Sequence, residues 1–265
     1  MKIAFIGGGN MASAIIGGIT ASGLYEKEEI FVFDINEKTV EKYINEGIDA
    51  STELEGVMAA DLIMLCVKPF VMPEVLKKLR SKRGDLKDKI FVSIAAGVSV
   101  SDIKIHIGFD AKVVRVMPNT PALIGEGMSV LVSNCYPATE EEFSKVKAIF
   151  DSVGKTLVMP ENMISAVTSV SGSGPAYVFM MIEAMADAGV LGGLSRKDAL
   201  ALSAQTVLGA AKMVIDTEKH PAELKDMVCS PKGTTIEAVK ELEDKGFRGV
   251  VISAVDACRK KAENM

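Results

Sequence analysis

Residues 2–12 read Lys2-Ile3-Ala4-Phe5-Ile6-Gly7-Gly8-Gly9-Asn10-Met11-Ala12. Four consecutive apolar residues spell a buried strand, and the small and branched residues of Met11–Ala21 continue as a helix. A strand running straight through glycines into a helix is the context that the dinucleotide fingerprint G-x-G-x-x-G/A demands. Gly7 permits the tight turn, Gly9 lets the backbone approach a diphosphate, and Ala12 is small enough for helix and sheet to pack closely. The new helix then offers free N–H groups and partial positive charge to phosphates, so Gly7, Gly8, Gly9, Asn10, Met11 and Ala12 are candidate coenzyme residues.

The pattern repeats outward. Ile30–Asp34, Leu62–Val67, Ile90–Ile94 and Val113–Val116 are short apolar runs, with helical patterns at 37–46 and 73–79 between them. Continuously apolar strands alternating with helices predict parallel strands covered on both faces, hence an α/β doubly wound sheet of Rossmann type. A further strand is expected at Met128–Val132, then a helix opened by Thr139 with Glu142 in capping-box spacing, closed by Gly154, and a last short strand at Leu157–Val158. Beyond Pro160 no strand pattern remains, and Pro175, Gly189, Ser195 with Asp198, Pro221, Pro231 and Gly246 punctuate helices. The expected division is residues 1–160 as the dinucleotide-binding domain and 161–265 as an all-α domain. Within the latter, Ala199–Ala211 carries no charge on any face. A helix apolar all round must be covered all round, so it is expected to be sealed by a second subunit; a central helix within one chain is the alternative.

Composition narrows the function. The chain has 265 residues, 30 Lys+Arg against 35 Asp+Glu, and no Trp, so no basic footprint or stacking platform for nucleic acid is present. Cys66, Cys135, Cys229 and Cys258 form no CxxC pair, and His106 and His220 are the two histidines. That reads as reduced thiols in a cytoplasmic protein with no metal centre. Residues 3–25 and 162–182 are uncharged, but glycines interrupt the first and Ser171-Gly172-Ser173-Gly174-Pro175 the second. Both are expected to be buried segments of a soluble protein, not membrane spans.

Ligands of such sheets gather beyond the carboxyl ends of the strands. Three strand ends are therefore candidates for the coenzyme: Asp34, Val67-Lys68-Pro69, and Ala95-Ala96-Gly97. Asp34 would bond a ribose 2′-hydroxyl and repel a 2′-phosphate, which favours NADH, or it would only cap the next helix; Lys38 nearby could neutralise a phosphate. In the helical half, the hydroxyl-rich run Thr168–Ser173 is expected to break one helix into two at Gly174-Pro175. Ser230-Pro231-Lys232-Gly233-Thr234-Thr235 precedes a helical pattern and makes either a carboxylate site or an ordinary cap. Glu183 and Asp187 lie one turn apart and read as polar interface residues before an acid–base pair. An alcohol dehydrogenation needs a positioned His or Lys, and residues 172–183 contain neither, whereas a protonated cyclic imine needs less help.

Gly7–Ala12, Val67-Lys68-Pro69, Ala95–Val98, Met117-Pro118-Asn119-Thr120-Pro121, Val170–Tyr177 and above all Lys225–Ile236 (KDMVCSPKGTTI) closely resemble the pyrroline-5-carboxylate reductase family, in order and over essentially the whole chain. The resemblance implies reduction of 1-pyrroline-5-carboxylate to L-proline by NAD(P)H, the last step of proline biosynthesis. It implies a Rossmann domain followed by a helical dimerisation domain, often assembled into decamers, and favours NADPH. Carried over by position, Val67–Pro69 and Ala95–Gly97 would line the nicotinamide end. The backbone amides of Gly233, Thr234 and Thr235 would hold the substrate carboxylate, with Ser230 and Thr168 also at the substrate and the Thr235 hydroxyl at the imine nitrogen as the catalytic group. Met227 stands where many relatives have Asn, Lys232 where many have Gly, and Asp34 where relatives place Ser or Thr. A hydroxyacid dehydrogenase of the same two-domain plan and a non-enzymatic NAD(P) sensor are the rival readings.

Overall fold

The computed structural model describes residues 1–82, 86–133 and 138–265; Cys135 falls outside them. The elements in chain order are β1 (Ile3–Ile6), α1 (Asn10–Ala21), β2 (Ile30–Phe33), α2 (Glu37–Asn45), β3 (Asp49–Ser51), β4 (Leu62–Leu65), α3 (Met72–Ser81), β5 (Ile90–Ser93), α4 (Val100–Ile107), β6 (Lys112–Met117), β7 (Gly127–Val132), α5 (Glu140–Asp151) and β8 (Gly154–Met159). Helices alone follow: α6 (Ile164–Val167), a π-helical turn (Thr168–Gly172), α7 (Gly174–Leu191), α8 (Arg196–Thr217), α9 (Pro221–Val228), α10 (Thr234–Asp244) and α11 (Phe247–Glu263).

The strands form one sheet in the order β3-β2-β1-β4-β5-β6-β7-β8. Its first six positions are those of a doubly wound dinucleotide fold, with the switch point between β1 and β4. Successive residues of β1 serve opposite faces: Ile3 and Phe5 join a core with Ile15, Ile19, Tyr43 and Phe150, while Ala4 and Ile6 join one with Leu76, Leu79, Phe91 and Ile103. Coverage on both faces is why these strands read as unbroken apolar runs.

The sheet departs from expectation at its far edge. β7 pairs antiparallel with β6, and β8 then pairs parallel with β7. The connection 118–126 is too short for the crossover that parallel neighbours require, so the chain reverses. Gly154 does not close α5; that helix ends at Asp151, and Gly154 opens β8 opposite Gly127. β8 accordingly runs from Gly154 to Met159, longer than Leu157–Val158.

The described residues form two compact units, Met1–Ser173 with Arg259–Met265, and Gly174–Cys258. A second helix, α7, starts at Gly174-Pro175 as expected, but Thr168–Gly172 ahead of it is a π turn and not a plain break, closed by the Ser173 N–H on the Thr168 carbonyl at 2.8 Å. Gly189 likewise lies inside α7 instead of ending a helix; a Cβ there would come 3.1 Å from Ala199 Cβ, so the small residue permits close approach of α8. The central-helix alternative for 199–211 fails. Only Ala199 and Ser203 of α8 are buried, and Leu202 and Leu208 are 57% and 58% exposed. Nor is 162–182 buried throughout, because α7 exposes Val178, Phe179 and Met180. By length and composition alone, Glu161–Leu191 and Arg196–Thr217 could each span a bilayer.

Candidate functional site

One candidate group in the first unit is built from the carboxyl ends of β1, β2, β4 and β5. Gly7 follows β1 with φ +96°, and a Cβ on it would stand 2.8 Å from the Cys66 carbonyl oxygen at the end of β4. Only glycine fits this crossing of the switch point. Gly9 is the N-cap of α1 and is exposed, with open space where a Cβ would project. No side chain caps α1, so its first-turn N–H groups face outward as an anion cradle. Asn10 is exposed beside it, Met11 partly so, and Ala12 is packed against the sheet at 1% exposure. These residues fit a dinucleotide diphosphate.

Asp34, just past β2, does not cap α2. Its Oδ2 accepts the Gly8 N–H at 2.8 Å and its Oδ1 the Asn36 N–H at 2.9 Å, while Asn36 is the cap, accepting from the Lys38 N–H at 3.0 Å. Lys38 is exposed. Beneath the glycine loop runs a chain of hydrogen bonds that the sequence reading missed. Lys42 Nζ donates to Ser13 Oγ at 2.8 Å, Ser13 Oγ and the Tyr43 hydroxyl are 2.7 Å apart, and that hydroxyl donates to the Gly8 carbonyl at 3.0 Å.

Val67, Lys68 and Pro69 follow β4, with Lys68 exposed ahead of the short 3-10 turn Pro69–Val71. The Cys66 thiol before them is pushed well above its ordinary value by burial and is not a reactive thiolate. Ala95, Ala96 and Gly97 follow β5; Ala95 is buried and Gly97 exposed. This loop is anchored at its far end. Ser99 and Asp102 form a capping box on α4, and the Ser99 hydroxyl and N–H hold the Asp102 carboxyl below the usual range. Glu161 Oε1 accepts both the Val100 N–H at 2.9 Å and Arg115 Nη1 at 3.0 Å.

Thr168 lies in the π turn, its hydroxyl donating to the Ile164 carbonyl at 2.8 Å. Buried Asn119 secures that turn: Nδ2 donates to the Ser171 carbonyl at 3.0 Å, and Oδ1 accepts the Met128 N–H at 2.8 Å.

A separate candidate group lies in the helical unit. Ser230 and Gly233 close a turn through the Gly233 N–H and the Ser230 carbonyl at 3.0 Å. Lys232 inside it has φ +58°, the left-handed region that favours glycine, which is the physical reason a relative would carry Gly there. A Cβ on Gly233 would lie 2.3 Å from Ser230 Oγ. Gly233 is the N-cap of α10, and no side chain caps that helix. Ordinary capping is therefore not what Ser230, Thr234 and Thr235 do, unlike Asn36, Ser99, Thr139 and Ser195, which cap α2, α4, α5 and α8. Thr235 is half-buried and Met227 exposed.

The remaining candidates are engaged structurally. His220 caps α9, its Nδ1 accepting the Ala222 N–H at 3.2 Å, and His106 lies on α4 with its carbonyl taken by Arg80. Asp187 pairs with Arg196 at 2.6 Å across the α7–α8 turn. Cys66, Cys229 and Cys258 form no disulfide among the described residues.

Two family models match the chain: one described as NADP oxidoreductase, coenzyme F420-dependent, over residues 2–97, and one described as pyrroline-5-carboxylate reductase dimerisation over residues 161–265. Among curated proteins, the pyrroline-5-carboxylate reductase of Escherichia coli is 48% identical across 100% of this chain and 98% of its own length. That of Arabidopsis thaliana is 45% identical across 100% and 95%. The crystal structure of Plasmodium falciparum pyrroline carboxylate reductase with NADP bound superposes with a TM-score of 0.90 at 33% identity, covering 100% of this chain and 97% of that one. Prephenate dehydrogenase of Aquifex aeolicus, at 18% identity and a TM-score of 0.55, shares the fold alone.

A doubly wound sheet with this glycine turn, in such company, defines an NAD(P)-dependent oxidoreductase with a mostly helical C-terminal dimerisation domain. More narrowly, the chain belongs to the pyrroline-5-carboxylate reductase family.

Proposed function

We propose that this chain reduces 1-pyrroline-5-carboxylate to L-proline, with residues 1–160 holding the coenzyme and 161–265 serving dimerisation and the substrate. The reading rests on one observation above others: an uncapped α10 start at Gly233, in a chain 48% identical over its full length to a reductase of that name.

The coenzyme, when bound, supplies a hydride. Gly7 to Ala12 would hold its diphosphate, Asp34 its adenosine ribose, and Val67, Lys68, Pro69, Ala95, Ala96 and Gly97 its nicotinamide end. The substrate carboxylate would be gripped by the amides of Gly233, Thr234 and Thr235, where helix-terminal charge favours an anion. Ser230 and Thr168 are the further residues that the resemblance assigns to the substrate. The Thr235 hydroxyl holds the imine nitrogen, which arrives protonated; the ring carbon beside it is then already electron-poor, and no His or Lys acid is required. What the protein contributes is placement of the two reactants.

Asp34 inclines the site to NADH. Its carboxylate is fixed by two backbone N–H groups, and a coenzyme 2′-phosphate would meet that fixed negative charge. The working form is a cytoplasmic homodimer joined through α7 and α8, whose apolar faces are open in the single chain. A decamer is the larger assembly the resemblance implies, and neither nucleic acid nor membrane is a partner.

Thr235→Ala tests the mechanism. Losing one hydrogen bond to a charged group is worth about 1.5–3 kcal/mol, so kcat should fall roughly 10- to 100-fold while the coenzyme KM stays put. Steady-state rates with both substrates measure this, and an unchanged kcat removes Thr235 from the reaction.

A further inference from the structure

The glycine loop offers its amides to an anion only if its peptide planes face the right way, and one of those planes is fixed from beneath. Tyr43 sits on α2, fully buried, 35 residues along the chain from Gly8. Its ring edge lies 2.7 Å from where a Gly8 Cβ would be, so Gly8 is flush against the tyrosine and can carry no side chain. The phenol donates to the Gly8 carbonyl at 3.0 Å. Burial raises the Tyr43 phenol above its ordinary value, so it remains a donor throughout the neutral range. Ser13 and Lys42 complete a consistent run of donors: ammonium to serine hydroxyl, serine hydroxyl to phenol, phenol to carbonyl.

A trans peptide points its C=O and N–H in opposite directions. The Gly8 carbonyl is drawn down to a buried hydroxyl, so the N–H of the same plane, that of Gly9, is turned up and outward. Gly9 is exposed there, above open space. On the far side of the Gly8 Cα, Asp34 takes the Gly8 N–H at 2.8 Å. Both planes flanking Gly8 are thus held by side chains, one from β2's end and one from α2.

We propose that Tyr43 is a positioning residue for coenzyme binding: by holding the Gly8 carbonyl inward it presents the Gly9 N–H to the diphosphate. The inference rests on the assignment of Gly7–Ala12 to the coenzyme, and it adds a residue that no fingerprint contains.

Tyr43→Phe keeps the ring and removes the hydroxyl. Calorimetric titration of the full chain should show affinity weakened about tenfold for the reduced coenzyme and for ADP, which carries the same diphosphate. In steady state the coenzyme KM should rise in parallel, with kcat and the imine KM within twofold of wild type. Ser13→Ala, which removes the group bonded to the phenol, should shift the same quantities by a smaller factor, and it carries the test if Tyr43→Phe does not fold. Unchanged coenzyme and ADP affinity would overturn the proposal. So would a loss spread equally over kcat and both KM values with a lowered Tm, the mark of a merely structural tyrosine. Gly9→Asp, which puts a negative charge at the cradle itself, separates the two levels. If it abolishes ADP binding while Tyr43→Phe does nothing, Tyr43 has no such role; if it too leaves ADP binding intact, the cradle assignment fails and the proposal with it.

Discussion

Asp34 and Lys232 stand in the two candidate binding loops, and the structure gives each a physical setting, Lys232 in the left-handed region at φ +58° and Asp34 between two backbone donors. Asp34 spends both carboxylate oxygens on backbone N–H groups, so its charge cannot swing away from an approaching phosphate. Two like charges about 4 Å apart at an effective dielectric near 20 repel by about 4 kcal/mol. Wild-type enzyme should therefore show a higher kcat/KM with NADH than with NADPH, and Asp34→Ser should raise the NADPH value at least tenfold. Initial rates with each coenzyme decide it, and a strong NADPH preference in the wild type would show this account of Asp34 to be wrong. The glycine loop was legible at this scale because backbone geometry dictates residue type: Gly7 must cross over the Cys66 carbonyl, and Ala12 must be small. Tyr43 and Asn119 were not, since each acts on a backbone group brought to it only by folding, Gly8 35 residues away and Ser171 52 residues away.

Among the elements, local signals were read most surely where the chain satisfies its own backbone. The Thr139–Glu142 capping box opens α5 as its spacing foretold, with each residue bonding the other's N–H. Glu142 also meets Lys112 of β6 at 2.6 Å. Burial works to raise the Glu142 carboxyl, but the bonds from Lys112 and Thr139 outweigh it and hold it below its ordinary value. A lowered folded pKa contributes stability that is full above the unfolded value, about 4.3, and drains away as pH falls through the folded one. Glu142→Gln should thus lower Tm at pH 7 by a few degrees, and the deficit should shrink as pH falls through the carboxyl's lowered folded value, below which both side chains are neutral. A calorimetric Tm series over pH checks it, and an equal deficit at both ends would refute it. Features without a local rule escaped: β3 is short and half polar, the reversal of β7 depends on which edge is free, and the π turn keeps helical sequence while changing the bond spacing.

For the molecule as a whole, the helical half cannot be complete as one chain. α7 and α8 leave Phe179, Met180, Leu202 and Leu208 in water, and large apolar side chains exposed on paired helices mark an interaction surface. The absence of charge from 199–211 signalled the need for cover, and the structure shows that the chain's own elements do not supply it. Leu202→Lys or Leu208→Lys should split the assembly, with light scattering on size-exclusion eluates reporting a fall to monomer mass and activity falling with it; an undisturbed mass would clear α8 from the interface. A different consequence follows from the unfinished starts of α1 and α10. The first turns of α2, α4, α5 and α8 are sealed by asparagine, serine or threonine, while α1 and α10 start on glycines with no side-chain cap. Whatever docks there finishes the secondary structure as it binds, so saturation with ligands and resistance to heat should climb together, the guest acting as the last turn of the fold.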